Sequence, residues 1–265
     1  MNEIDDLETM SIKSVIASIA TLSDYQNHKN NPTAPISRCD ETINAIKSYI
    51  LRKHLKPDDA LPGEVQLCNQ ICTSRSSIRE AIRKLEALNI VRVEHGKGTF
   101  IGSLSLSPMV ETLAFRALIS ADKNLIDLQN VVEMRKFLDI GCAEEVVKSL
   151  AGTEQSNLFE IVNKMSKYAA QGKTFMQLDI DFHMGVLSQL NNNVAKQMVK
   201  SFWLVHMAVL PQLRIPVSAE IEQTADAHKD ILKAAIAGDV NAYRQAIIKH
   251  YEPIESILRC ENTQD

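Results

Sequence analysis

Apolar residues recur at helical spacing through most of the chain, and alternate with polar ones in a single short stretch. "SIKSVIASIATL" sets Ile12, Val15, Ile16 and Ile19 on one helical face, and the polar, proline-containing "SDYQNHKNNPTAPIS" then reads as a linker, so residues 1–38 form an arm. "DETINAIKSYILRKHL" aligns Ile43, Ile46, Ile50 and Leu51 on one face, and "GEVQLCNQIC" aligns Val65, Cys68 and Cys72. A three-residue turn leads to a third helix over about residues 74–88, whose apolar side is Ile78, Ala81, Ile82, Leu85 and Leu88. "IVRVE" alternates as a strand, "HGKG" turns and "TFIG" returns. Three helices closed by a two-stranded hairpin over residues 39–103 predict a winged helix-turn-helix. Residues 104–261 show helical periodicity only, broken at "LAGTEQSN", "AQGK", "LNNN", "IPVS" and "AGD", which predicts a bundle of six or seven helices. The expected fold class is therefore mainly α.

Composition narrows the function. Of 265 residues, 45% are hydrophobic and 23% charged, the balance of a water-soluble globular chain, and the net charge of −4 rules out whole-chain attraction to nucleic acid. Any DNA-binding surface must be local, and "TSRSSIREAIRKLEALNIVRVEHGKG" supplies one: six basic residues face three acidic ones, leaving +3. On a helical wheel Arg75, Ser76, Arg79 and Arg83 share an arc of about 100° opposite the apolar side. Ser74 can cap the helix and Ser77 lies in its first turn, so free N–H groups, hydroxyls and guanidinium groups meet at one end, a combination suited to phosphate and to guanine edges. Gly96 and Gly98 allow a tight wing tip carrying His95 and Lys97. The five cysteines are odd in number and read as reduced residues of a cytoplasmic protein; Cys68 and Cys72 lack the second Cys/His pair that a structural zinc site needs. No apolar run approaches membrane-spanning length and the start "MNEIDDLETM" is acidic, so no membrane or secretory role is expected.

"LPGEVQLCNQICTSRSSIREAIRKLEALNIVRVEHGKGTFIG" strongly resembles the DNA-binding domain of the GntR family of bacterial transcription regulators, over about residues 40–102. The resemblance implies DNA contacts from Ser74, Arg75, Ser76, Ser77 and Arg79 on the recognition helix and from His95 and Gly96 on the wing. Two positions depart from the family pattern: Val65 stands where many members carry a DNA-touching arginine, and Asn89 replaces a common glycine, a change that asparagine's tolerance of left-handed backbone accommodates.

The helical half holds a second candidate site. Asp179 and His183, four residues apart, share one helix face about 6 Å apart at Cβ. Gly238 is expected to end one helix and Asp239 to cap the next; His228 precedes the turn by ten residues and His250 follows it by eleven. In an antiparallel hairpin both lie about 15 Å from the turn and face each other. Three imidazoles and a carboxylate suit a divalent transition metal (Zn, Ni, Mn or Fe) with open positions. The competing account of each histidine is an ordinary buried imidazole; His206 has no partner spacing and is read that way. Residues 108–258 resemble the all-helical FCD ligand-binding domain of the FadR-type branch, whose metal-binding members carry a matching Asp and three His, which implies an organic-acid sensor; Asn192 also matches. In that resemblance Arg135 stands near the ligand pocket and can hold a carboxylate, while a surface ion pair with Asp139 is the equal alternative.

These readings imply a ligand-responsive repressor without catalytic residues. It would bind a palindromic operator as a homodimer and answer to a small organic acid such as a sugar acid. The rivals are an acyl-CoA sensor without metal and a metal-dependent hydrolase fused to a DNA-binding domain.

Overall fold

The computed structural model describes residues 37–121, 125–213 and 221–261; the arm's amphipathic stretch lies outside them. The chain divides into two compact units, one ending at Pro108 and the other starting at Met109.

The first unit contains α1 (Arg38–Arg52), α2 (Glu64–Ile71), α3 (Arg75–Ala87), β1 (Val91–Glu94) and β2 (Gly98–Ile101). Ser37 starts α1 by accepting the Asp40 N–H through its hydroxyl. Each helix contributes its buried face to one small core: Ile46 from α1, Leu67 from α2, and Ile78, Ala81, Ile82 and Leu85 from α3. Burial of each large aliphatic side chain contributes roughly 1.5–3 kcal/mol. The antiparallel hairpin closes the core with Val91 opposite Ile101, and the loop before α2 lies along β2 through Leu61 N–H to Thr99 and Ile101 N–H to Asp59.

Some expected core positions are on the surface. Leu51 and Leu88, the last apolar residues of their patterns, are 57% and 54% exposed, because α1 ends one residue after the first and α3 one residue before the second. In α2 the anchor is Leu67, not the Val65/Cys68/Cys72 face: Val65 is exposed, Cys68 half-buried, and Cys72 is an exposed left-handed cap at φ 57°. A helix of eight residues docks through little more than one side chain, so its periodicity was a weak guide.

Asn89 does adopt the left-handed conformation, at φ 54°. Its carbonyl sits against Gly102, where a Cβ would lie 2.3 Å from Asn89 O and 2.9 Å from Asn89 C. Those atoms are backbone and cannot rotate away. Gly102→Ala is therefore expected to cost about 1–3 kcal/mol in the winged unit by forcing the hairpin root apart. Denaturant unfolding of the full chain reads this directly, and an unchanged first transition would contradict it.

The second unit carries α4 (from Ser107 to Ser120), α5 (Ile126–Gly141), α6 (Ala143–Leu150), α7 (Ser156–Ala169), α8 (Met176–Val186), α9 (Asn193–Val209), a 3-10 turn (Leu210–Leu213), α10 (Ile221–Ala237) and α11 (Val240–Glu261). The described residues thus hold eight helices here, where six or seven were expected. The extra break falls at Cys142, directly after Gly141, and separates α5 from α6 by a single residue with no polar loop, so the periodicity runs through it. A single apolar core draws residues from all eight helices. Gly238, at φ 76°, ends α10 and Asp239 caps α11 by accepting the Ala242 N–H, giving the tight turn expected of a helical hairpin. Among the described residues no helix is long and apolar enough to cross a membrane.

Candidate metal centre and nucleic-acid interface

The turn at Gly238 sets the height of two histidines. His228 on α10 and His250 on α11 meet with ring centroids 4.4 Å apart. From α8, His183 approaches within 5.0 Å of His250 and 5.4 Å of His228. Asp179, one turn earlier on α8, places Oδ1 2.7 Å from His228 Nε2 and 3.7 Å from His183 Nε2. One ligand atom from each of the four residues lies within 4.8 Å of every other. The structure therefore brings together all four residues named from spacing.

The hydrogen bonds around this cluster test whether a cation suits it. His228 Nδ1 lies 2.7 Å from the Thr224 carbonyl, which only accepts, so Nδ1 carries a proton. In a neutral ring Nε2 then directs a lone pair at Asp179 Oδ1. Two lone pairs at 2.7 Å repel unless a proton or a metal cation lies between them. His183 Nε2 and His250 Nδ1 are buried and have no hydrogen-bond partner. Buried polar atoms are seldom left so. A carboxylate, an imidazole oriented by a backbone carbonyl and two unpartnered imidazole nitrogens are a donor set and outer support that could hold a divalent transition metal. The second Asp179 oxygen is held by Trp203 Nε1–H at 2.6 Å, and Phe182 packs edge-on against both His228 and His183.

Electrostatics keep these groups in ligating form. Burial, and behind it the neighbouring positive charge of Arg135 and the other imidazoles, pushes His183 down to about 3 and His250 well below the ordinary histidine value. Burial works to raise Asp179, but the His228 hydrogen bond and the surrounding imidazoles outweigh it and hold the carboxyl well below the usual range. His206 is also pushed down to about 3, by burial and then by Arg135. Asp139 goes the other way, up to about 6, because burial outweighs the Tyr251 hydrogen bond and the charge of Arg135. The pH dependence follows in sign. Between about 3 and 6.5 the unfolded chain protonates His183 and His206 while the folded chain does not, so their contribution is lost on acidification; Asp139 opposes them between 3.8 and about 6. Two imidazoles with larger displacements outweigh one carboxyl. Chelator-treated protein should therefore melt lower at about pH 5 than at about pH 7. A midpoint that rises on acidification would contradict this balance.

Arg135 and Asp139 on α5 are both buried, at 3% exposure, which overturns the surface ion pair. Asp139 accepts from Tyr251 Oη–H at 2.6 Å and lies 4.0 Å from His183 Nδ1. Arg135 instead turns to His206, with Nη1 2.6 Å from its Nδ1. The partner of His206 is on another helix 71 positions away, and no local spacing carries that signal. Asp181 is exposed and holds Gln177 Nε2 at 2.9 Å, away from the cluster, as its helical phase required. Asn192 caps α9 by accepting the Ala195 N–H.

In the first unit, Ser74 caps α3 by accepting the Ser77 N–H, and its hydroxyl lies 2.9 Å from those of Ser76 and Ser77. Arg75, Ser76, Arg79 and Arg83 are exposed, and Ser77 is half-buried. Arg79 Nε is 2.9 Å from both carboxylate oxygens of Glu64 at the start of α2, a partnership the sequence did not suggest. His95 and Gly96 form the exposed wing tip, closed by Lys97 N–H to Glu94 O, with Gly96 at φ 77°. At the wing root Arg92 pairs with Asp58 at 2.9 Å and also with Glu94.

Comparisons with known proteins agree with both halves. Residues 39–101 match the family described as bacterial regulatory proteins, gntR family, and residues 130–253 match the FCD domain. The HTH-type transcriptional regulator LutR of Bacillus subtilis (strain 168) is 23% identical over 77% of this chain and 93% of its own. The galactonate operon transcriptional repressor of Escherichia coli (strain K12) is 22% identical over 80% and 93%. NedR of Micromonospora viridifaciens, a putative transcriptional regulatory protein, is 34% identical over 39% of this chain and 75% of its own. Among solved structures, Streptococcus agalactiae GntR superposes with a TM-score of 0.58 at 23% identity, covering 82% of this chain and 99% of that one. The family and these relatives are transcription regulators and not enzymes, so the hydrolase reading falls. With a winged helix-turn-helix ahead of an all-helical FCD domain, the chain belongs to the GntR family of DNA-binding transcription regulators.

Proposed function

We propose that the chain is a metal-containing repressor that releases its operator in response to a small carboxylate metabolite. The observation that carries this reading is the buried Asp179/His183/His228/His250 cluster with two unpartnered imidazole nitrogens. Those four residues would hold a divalent cation (Zn, Ni, Mn or Fe), which when bound supplies positive charge for a ligand's oxygens. Arg135 adds a buried guanidinium on the same side, close enough to influence His183 and His250. Relatives named for galactonate, Uxu and L-lactate dehydrogenase operons point to hydroxy and sugar acids as the chemical class. The acyl-CoA alternative leaves the unpartnered nitrogens without a purpose.

On the DNA side, Ser74, Arg75, Ser76, Ser77 and Arg79 form the surface that enters the major groove, with His95 and Gly96 beside it. The end of α3 leaves backbone N–H groups free for phosphate, while an exposed guanidinium can read a guanine edge. A second copy is the partner. Phe115 and Ile119 on α4 and Ile126, Met134 and Phe137 on α5 are large apolar residues at least 40% exposed, stripes of the kind that mark an interface. A two-fold dimer in the cytoplasm matches a palindromic operator. Effector binding alters repression only through its preference for one arrangement of the protein over another.

The test is a thermal-shift screen of L-lactate, D-galactonate and other sugar acids on full chain purified without chelator, with and without added metal. The expected result is about one metal equivalent by mass spectrometry and a stabilising acid that acts only on metal-loaded protein. Sub-stoichiometric metal after such purification, together with metal-independent binding, would overturn the sensor assignment.

A further inference from the structure

The contact between Arg135 and His206 determines a tautomer. A guanidinium has donors and no acceptor, so the nitrogen 2.6 Å from Arg135 Nη1, His206 Nδ1, must accept. A neutral imidazole that accepts through Nδ1 carries its proton on Nε2. That Nε2 is sealed from solvent and has no hydrogen-bond partner, and the same is true of Arg135 Nε. The pair therefore presents two buried donors and no acceptor for either. Burial keeps the His206 ring neutral, so it stays a donor rather than a cation.

The position of the pair gives those donors a use. Trp203 lies three residues before His206 on α9 and donates Nε1–H to the Asp179 oxygen that does not face His228. The Arg135 guanidinium sits 5.4 Å from the Tyr251 ring centre, and that ring lies 5.1 Å from His250. Two separate routes thus lead from the His/Asp cluster to this pair. Asp139, the carboxylate on Arg135's own helix, makes no ion pair with it among the described residues and is held by Tyr251.

We infer that His206 is an effector-binding residue, whose Nε2–H donates to an oxyanion of a small hydroxy or sugar acid, with Arg135 Nε–H as a separate donor to the same acid. The inference rests on the sensor function proposed above. Two donors without an acceptor match a carboxylate and reject an ammonium group, so the site selects such acids over amino acids of the same size. Arg135 then has two roles, donating to the effector and holding His206 in the tautomer that donates.

Nitrogen-15 spectra of the histidine rings in the metal-loaded full chain test this without knowledge of the natural effector. His206 should carry its proton on Nε2, and that signal should move on titration with acetate, the smallest probe bearing the group, to about 100 mM, and with L-lactate and D-galactonate. His206→Phe should keep its metal and its operator affinity but weaken binding of whichever probe moves the signal by about tenfold or more, the weight of one hydrogen bond to a charged group. His206→Gln, which retains an N–H donor, should recover part of the loss. A proton on Nδ1, an unmoved signal with all three probes, or equal probe affinity in His206→Phe would each overturn the inference. Should the wild-type chain hold no metal and bind acids without it, the sensor reading itself fails; metal retained with a silent His206 removes this assignment alone.

Discussion

His228→Ala should lose bound metal almost completely. The affinity loss expected is at least about a hundredfold, since support groups around a metal ligand alone account for 10- to 100-fold. His228 is fully buried, its Nδ1 is fixed by the Thr224 carbonyl, and its Nε2 faces Asp179 at 2.7 Å. No neighbouring side chain can rotate into that position, because Phe182 and the other two imidazoles already pack around it. The substitution also strips Asp179 of a hydrogen bond, so the metal-free chain should be less stable by about 1–3 kcal/mol. Operator binding by the metal-free protein should persist, because the DNA surface is built within the first unit. Asp181→Asn is the matched control: that carboxylate is exposed and engaged by Gln177, so metal content should not change. Metal analysis after gel filtration decides the matter, and unchanged content in His228→Ala would dissolve the four-residue assignment.

The cluster was legible in the sequence because helices have a fixed rise. Once Gly238 and Asp239 mark a hairpin, residues ten before and eleven after it must sit at the same height, whatever else the chain does. Asp179 and His183 were similarly tied by one helical turn. The recognition helix was legible for a related reason: Ile78, Ala81, Ile82 and Leu85 define a buried side, and the basic side follows by exclusion. What stayed hidden depends on long-range geometry. His206 acquires its meaning from Arg135, and Asp139 from Tyr251, across sequence separations of 71 and 112. The Glu64–Arg79 pair bridges two helices whose relative placement no periodicity states. Helix ends were the other weak point: Leu51 sits in the last turn of α1 and Leu88 one residue past α3, where a wheel assigns burial but the helix is ending or has ended.

Arg75→Ala should weaken operator binding by about ten- to a hundredfold with no change in melting temperature, the cost of one guanidinium that reads a base edge at about 1–3 kcal/mol. Arg75 is a cleaner probe than its neighbour Arg79. Its side chain is exposed at the first helical position after the Ser74 cap, and it forms no ion pair within 4.0 Å among the described residues. Arg79 instead directs Nε to both oxygens of Glu64, so replacing it also releases a carboxylate beside the exposed surface of α3 proposed to meet DNA. The freed charge would repel phosphate, and the measured loss would mix two effects. Glu64 also lowers the local positive charge in the free protein, so Glu64→Ala should tighten non-specific DNA binding at low salt while leaving Arg79 less fixed. A gel-shift titration against the DNA upstream of the protein's own coding region, repeated at several salt concentrations, separates the two arginines. Loss at every salt concentration in Arg75→Ala marks base reading, whereas a loss that shrinks as salt rises marks a phosphate contact. Undiminished affinity in Arg75→Ala would mean that α3 does not enter the groove through its cationic first turn.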